Sequence, residues 1–482
     1  MLAAAPSFRD PAGCCCTFRE RVLRRVAANT VPEFEAFLQT PAARQCIADK
    51  KLVSTRRLAE REVAELLEIP ELNRFFFAPG AEAVYEHERV AFPSYPHEWP
   101  PEMLWAAGQL TLELARATGA AGFGLKDATP HNILFRGPDP VFIDALSFER
   151  RHPADPLWLP EAQFVRTFLL PLLANRRWAL PLAEVFTTRR DGLEPEAVYR
   201  WCGPLEKFTP RLLSLVSLPT WLSRRTNPDD QRIYQPRRLA DPEQAQFILA
   251  SLFRRLARTL DGLGPAARKS SSWSDYMSTH RYADPAFAAK EAFVAEALRE
   301  FKPARVLDAG ANTGHFSALA ARAGAAVVAV DLDEACVGTI WRQAQGQRLD
   351  ILPLVVNLAR PSPALGWRNA ECPSFLNRAA GAFDGVLMLA LIHHLLVTER
   401  IPLEEILRLA YELTRSLLVV ELVEPQDAMF RRLTRGREQL HASLDAKMFE
   451  QACMPYFEIV RSLALPGTRR RLYCLKRRSA AR

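Results

Sequence analysis

No stretch of this 482-residue chain approaches the roughly eighteen uninterrupted apolar residues that a membrane-spanning helix needs, and Leu2 to Ala5 is too short for the apolar core of a secretion signal. A cytoplasmic protein without a membrane span is therefore expected. Paired C-x-x-C spacing is missing from the nine cysteines, Cys14, Cys15 and Cys16 among them, which removes the common zinc frameworks and leaves no evident disulfide plan. Reduced thiols and no metal site follow as expectations. Long runs of one charge are missing too: the net charge of +8 is spread through a chain with 24% charged residues, and Arg469 to Arg471 and Lys476 to Arg478 read as solvated faces. That argues against nucleic acid as a partner. Between Gly13 and Gly80 there is no glycine, so this stretch has no glycine-rich loop to cover a phosphate.

What is present points to two domains. A hydrophobic content of 49% supports real cores, and the length exceeds one ordinary domain. Gly262 to Ser272, with Gly-Leu-Gly-Pro and then Lys-Ser-Ser-Ser, reads as a polar linker dividing residues 1–265 from residues 270–482.

The most informative run is Val306 to Ser317, Val-Leu-Asp-Ala-Gly-Ala-Asn-Thr-Gly-His-Phe-Ser: an apolar strand carrying Asp308, a turn with Gly310 and Gly314, then an amphipathic helix. A second strand, Ala326 to Val330, leads to Asp331 about twenty residues on, where a carboxylate can accept hydrogen bonds from ribose hydroxyls. A dinucleotide-binding G-x-G-x-x-G would put glycines at 312 and 315, but Asn312 and His315 stand there, so NAD is disfavoured. Ile351 to Val356, Phe383 to Ala390 and Ser416 to Glu421 read as further strands buried on both faces. Pro285 to Glu300 and Pro402 to Leu413 read as helices, and Phe457 to Ala464 with Arg470 to Lys476 as an antiparallel hairpin.

The pattern D-x-G-x-x-x-G followed by a later Asp resembles motif I of the class I S-adenosylmethionine-dependent methyltransferases. The resemblance implies an α/β fold with a Rossmann-like seven-stranded sheet over residues 270–482. It also implies that Gly310 and Gly314 line the methionine part of the cofactor, Asp308 orients the turn, Asp331 holds the ribose, Asn357 with Leu358 borders the adenine, and Asn312 and Leu332 also bind the cofactor. Asn357 is a departure, since an acidic residue is common there, yet an Asn oxygen can accept the same bond. Leu391-Ile-His-His-Leu395 resembles the segment that lines the acceptor in small-molecule methyltransferases, with His394 or His393 as the candidate base. Tyr276, Tyr282 and Lys290 resemble a lead-in over the cofactor, read first as core. Asn-Pro-Pro-Tyr is absent at this strand end, which argues against DNA as acceptor.

In the first half, Leu125-Lys-Asp-Ala-Thr-Pro-His-Asn-Ile-Leu-Phe135 and then Val141-Phe-Ile-Asp144 resemble the catalytic loop and metal-binding strand of aminoglycoside phosphotransferase-type kinases. By that resemblance Asp127 is the base and Asn132 and Asp144 are magnesium ligands, in an α+β kinase-like domain. Departures are Leu125 in place of the usual histidine, Asp-Ala-Leu in place of an Asp followed by Gly, and a phosphate-binding lysine that spacing does not choose between Lys50 and Lys51. The expectation is a degenerate kinase-like domain, with helices from Pro156 to Leu260 and Trp158, Phe164, Phe168 and Trp178 in its core. The whole layout resembles bacterial methyltransferase-like proteins related to nodulation host-specificity proteins, which share the Leu-Lys-Asp-Ala, Ile143 to Glu149 and Ile-His-His-Leu segments. It implies methyl transfer to a small-molecule or carbohydrate acceptor. A bifunctional kinase-methyltransferase and a non-catalytic scaffold of two binding modules remain open.

Overall fold

Two units make up the chain: Met1–Ala266 with Leu365–Cys372, and Ala267–Ala364 with Pro373–Arg482. The computed structural model describes residues 2–3, 9–70, 72–73, 81–223, 238–264, 285–435, 439 and 444–479. Tyr276 and Tyr282, and most of the Gly262 to Ser272 linker, lie outside the described residues.

The first unit builds a five-stranded sheet from β1 (Leu2–Ala3), β2 (Gly13–Phe18), β3 (Arg21–Ala27), β4 (Thr55–Arg57) and β5 (Ala81–His87), in the order β1-β2-β3-β5-β4. Its neighbours all pair antiparallel. The helix Pro101–Ala120 follows, and then two small antiparallel pairs, β6 (Phe123–Leu125) with β9 (Phe148–Arg150) and β7 (Ile133–Arg136) with β8 (Asp139–Phe142). Aromatics fill the interior. Phe37 stacks on Phe148 with ring centres 4.3 Å apart, and Trp99 meets Phe135 edge-on at 5.0 Å. Trp158, Phe164 and Phe168 are buried, as the helical reading expects. Trp178 is not: it ends the helix Leu170–Trp178, where Ala179 turns left-handed, and its ring is half-buried against Trp201.

In the second unit a seven-stranded sheet runs β12-β11-β10-β13-β14-β16-β15, from β10 (Arg305–Ala309), β11 (Ala326–Asp331), β12 (Ile351–Val355), β13 (Phe383–Met388), β14 (Thr414–Val423), β15 (Phe457–Ala464) and β16 (Arg470–Arg477). The first five are mutually parallel, and β16 lies antiparallel between β14 and β15. All seven strands expected from the sequence are present. Helices cover both faces, which is why Val306, Leu307, Val327, Val328, Leu387, Val386, Leu418 and Val419 are all buried and why these strands read as apolar runs. On one face the helices Pro285–Phe301 and His315–Arg322 bring Phe293, Val294, Phe316 and Ala320 onto Val306, Ala329, Leu387 and Val419. Burying one such Val, Leu or Phe side chain contributes about 1.5–3 kcal/mol.

The strand order places the site. From β10 the chain moves outward through β11 and β12, then returns to the other side of β10 as β13. The connections after β10 and β13 therefore leave in opposite directions, and a crevice opens at the carboxyl ends of these two neighbours.

Candidate cofactor and acceptor site

The turn after β10 is built by its glycines. Gly310 has φ +75° and Gly314 φ +81°, a left-handed backbone that side chains with a Cβ rarely take. A Cβ at Gly310 would lie 3.2 Å from Leu391, and one at Gly314 would lie 2.9 Å from Ile340. The first contact shows how closely the segment after β13 approaches this turn. Asn312 is also left-handed, with φ +49°, and its Oδ1 accepts the Thr313 N–H at 2.7 Å. The amides of Gly310 and Ala311 both donate to the Val330 carbonyl, at 2.9 and 3.0 Å, tying the turn to the end of β11.

Asp331 completes that tie. Its Oδ2 accepts the Asn312 N–H at 2.8 Å and its Oδ1 the Asp333 N–H at 2.9 Å. Burial nevertheless pushes its carboxyl above the usual range, against the pull of those backbone bonds. Asp308 lies deeper, 2% exposed, with Ser317 Oγ donating to it at 2.6 Å. Burial, joined by the charge of Asp331, raises its pKa to about 6. At the end of β12 the Val356 N–H donates to the Asp331 carbonyl, which sets Asn357 beside the ribose-binding candidate. Asn357 Oδ1 is partly engaged, since it accepts the Ala359 N–H at 2.9 Å. Leu358 is buried, whereas Leu332, just past the end of β11, is 64% exposed. The structure thus assembles Asp308, Gly310, Asn312, Gly314, Asp331, Leu332, Asn357 and Leu358 around the carboxyl ends of three adjacent strands.

His393 and His394 follow β13 across a left-handed Ala390, φ +54°. Their rings lie 4.2 Å apart. His393 is 3% exposed, and its Nδ1 has no hydrogen-bond partner among the described residues. Burial first, then His394 and Arg470, push its pKa down to about 3. His394 is less deeply buried and is lowered by burial and by Arg470.

Sequence reasoning missed the charged network beside these histidines. Lys290 Nζ donates to Glu421 Oε2 at 2.5 Å, and Arg470 Nη1 to Glu421 Oε1 at 3.4 Å. Arg470 also forks onto Asp427, Nε to Oδ2 at 2.9 Å and Nη2 to Oδ1 at 3.2 Å. Glu421 is 1% exposed, yet its two cationic partners outweigh burial and hold its carboxyl below the usual range. One signal was available in the sequence: a glutamate inside the apolar run from Leu417 to Val423.

In the first unit the structure brings Asn132 and Asp144 together through Ser147, whose Oγ donates to Asp144 Oδ2 at 2.5 Å and accepts from Asn132 Nδ2 at 3.4 Å. Burial and the nearby Asp144 raise the Asp127 carboxyl. Lys51 is not in this group; it pairs with Glu113 at 2.6 Å, and Lys50 occupies a left-handed turn, φ +60°. Instead Arg24, on β3, donates to Asp144 Oδ1 at 2.5 Å.

Residues 279–460 match the family model described as a methyltransferase domain. Across nearly its whole length the chain is similar to the nodulation protein NoeA of Rhizobium meliloti (strain 1021), at 29% identity over 99% of this chain and 98% of that protein. Similar solved structures include the N-methyltransferase NodS from Bradyrhizobium japonicum WM9 in complex with S-adenosyl-L-homocysteine, at 12% identity, covering 43% of this chain and all of that one, with a TM-score of 0.32. Another is magnesium protoporphyrin IX methyltransferase from Synechocystis PCC 6803 with bound SAH, at 19% identity, covering 40% of this chain and 84% of that one, with a TM-score of 0.29. Residues 279–460, almost all in the second unit, are thus matched as a methyltransferase domain, and the cofactor of such a domain is S-adenosylmethionine.

Proposed function

We propose that the crevice between the carboxyl ends of β10 and β13 transfers the cofactor's methyl group to a small-molecule or glycan acceptor. The observation that carries this reading is the turn with two left-handed glycines, braced by Asp331 and touching the segment that delivers two histidines. The glycine cradle fits a ligand that must approach the backbone closely. Asp331 accepts from the ribose hydroxyls with the lone pairs its two backbone bonds leave over, and Asn357 accepts from the adenine amine in the same way. Leu332 and Leu358 cover the adenine faces, and Asp308 holds the turn through Ser317.

Bound S-adenosylmethionine supplies a methyl group already activated by its sulfonium, so the protein's main task is alignment of the acceptor's lone pair with the methyl carbon. His393 is too weak a base to keep a proton at neutral pH, and we assign it the role of accepting a hydrogen bond from a neighbouring O–H or N–H of the acceptor, one that does not react. His394, less desolvated, takes the proton when the new bond forms. A small-molecule or glycan acceptor is what the resemblance to the nodulation host-specificity group implies. For the first unit we propose a kinase-like fold, supported by its sheet order, its paired small hairpins and the Asn132–Ser147–Asp144 cluster.

Titration calorimetry of the intact protein with S-adenosylmethionine and S-adenosylhomocysteine tests the cofactor site. Asp331→Ala should weaken binding tenfold to a hundredfold, matching the roughly 1.5–3 kcal/mol of a charge-assisted hydrogen bond. An unchanged affinity would remove Asp331 from the site. Radiolabelled methyl transfer to fractionated cell extract, lost in a His393→Ala, His394→Ala double variant that still binds cofactor, tests the acceptor side.

A further inference from the structure

The kinase resemblance of the first unit implies a magnesium ion at Asn132 and Asp144, and the residues there do not fit one. A magnesium ion requires oxygen ligands in near-octahedral array. Each Asp144 oxygen has a partner, Oδ1 the Arg24 guanidinium at 2.5 Å and Oδ2 the Ser147 Oγ at 2.5 Å, and the first of these already neutralises the carboxylate. A second cation entering beside Asp144 would face that guanidinium across a few ångströms of partly desolvated space. The guanidinium cannot easily withdraw. Arg24 sits mid-strand on β3, the central strand of the sheet, paired with Cys15 on one side and Tyr85 on the other, and its side chain is only 8% exposed. Among the described residues no group of three or more His, Cys, Asp or Glu side chains could hold a metal ion.

The β2–β3 hairpin gives an independent observation. A glycine-rich loop is what lets backbone amides lie over nucleotide phosphates. Here the hairpin turn is Arg19 and Glu20, with Arg19 itself left-handed at φ +54°. The one glycine of the hairpin, Gly13, serves packing, since a Cβ there would lie 2.5 Å from the Arg25 carbonyl.

We infer that the Arg24 guanidinium is the resident cation of the first unit, filling beside Asp144 the place a divalent ion would need, so that this unit binds neither free divalent cation nor a metal–nucleotide complex. The inference rests on the kinase-like reading for its choice of site, though the Arg24–Asp144 pair stands without it. The pair joins the sheet to the segment after β8 by a fixed charge, where a phosphotransferase would use an exchangeable one. The unit then contributes shape or recognition to the whole protein, and phosphoryl transfer is closed to it.

Manganese binding to the full-length protein, followed by electron paramagnetic resonance, tests this, together with thermal unfolding with and without magnesium ATP. The wild type should leave manganese free and show no shift with magnesium ATP. Arg24→Met should melt lower in EDTA, then regain stability with manganese and bind it at least tenfold more tightly than the wild type. Adding Asp144→Asn should abolish that gain. Stoichiometric manganese uptake by the wild type, lost in Asp144→Asn, would overturn the inference while upholding the kinase-like reading. A folded Arg24→Met protein that gains no manganese would overturn it whatever the fold's ancestry. If Arg24→Met does not fold, the wild-type titration decides alone.

Discussion

Asp308→Asn removes a charge that the second unit keeps at a cost. The carboxyl is 2% exposed and its pKa lies at about 6, against 3.8 in an open chain, because burial and the charge of Asp331 outweigh the hydrogen bond from Ser317. A gap of about two units corresponds to roughly 3 kcal/mol between the protonated and ionised forms. The folded pKa is the higher one, so the native state binds the proton more tightly than the unfolded state. The carboxyl's contribution is therefore fully present below about pH 3.8 and is lost as pH rises through about 6. Asparagine keeps the shape and can accept the Ser317 bond through Oδ1, but it carries no charge at any pH. Without cofactor, the variant should match the wild type near pH 3.5 and exceed it by up to about 3 kcal/mol at pH 8. Because the protein has two units, the readout must be local: hydrogen exchange of β10 peptides under increasing urea, at pH 3.5, 6 and 8, corrected for intrinsic exchange. A variant no more stable than the wild type at pH 8, with a wild type flat across this range, would refute the claim that this carboxyl is desolvated.

Three other outcomes are expected. Gly314→Ala meets a backbone φ of +81° and an Ile340 contact at 2.9 Å, so it should destabilise the second unit by about 1–2 kcal/mol for the backbone alone and weaken cofactor binding, read by thermal unfolding and calorimetry. Glu421→Gln takes away the buried carboxylate that Lys290 and Arg470 share, leaving Arg470 paired with Asp427, and should cost up to about 3–5 kcal/mol in urea unfolding, whereas Glu421→Leu with Lys290→Met should cost markedly less; equal costs would deny the coupling of Glu421 and Lys290. Uptake of the cationic cofactor near pH 6 should release a fraction of a proton from Asp308, seen as a dependence of calorimetric heat on buffer ionisation enthalpy that vanishes in Asp308→Asn.

Legibility followed the range of each interaction along the chain. The strands of the second sheet declare themselves because burial on both faces demands apolar residues at successive positions, as in Val327 to Val330. Gly310 and Gly314 show themselves for a similarly local reason, the backbone angle each needs. Trp178 misled because its position at a helix end, set by the left-handed Ala179, decides its exposure more than its apolar character does. The ion pairs left little local trace. Lys290 and Glu421 are 131 residues apart, and Arg24 and Asp144 are 120 apart. Only the three-dimensional register brings such partners together, and a charge such as Glu421 set in an apolar run announces that a partner exists without saying where.

The carboxylates of the second unit divide into two kinds. Asp308 and Asp331, at the glycine turn, are pushed above their ordinary range because burial there meets no adjacent protein cation strong enough to offset it. Glu421 and Asp427, beside the histidines, are just as surely held below it, by Lys290 and Arg470. The turn is therefore electrostatically incomplete, while the region beside the histidines is complete within itself. In the proposed site S-adenosylmethionine, positively charged on its sulfonium and its amine, supplies to the first pair what the protein supplies to the second. Complementarity of that kind makes affinity at the turn depend on the cofactor's charge, so the demethylated product, which has lost the sulfonium, is held with one attraction fewer. On the other side, the self-neutralised network adds no net charge beside the histidines, so in the proposed acceptor site recognition falls to shape and to His393 Nδ1, which has no hydrogen-bond partner among the described residues.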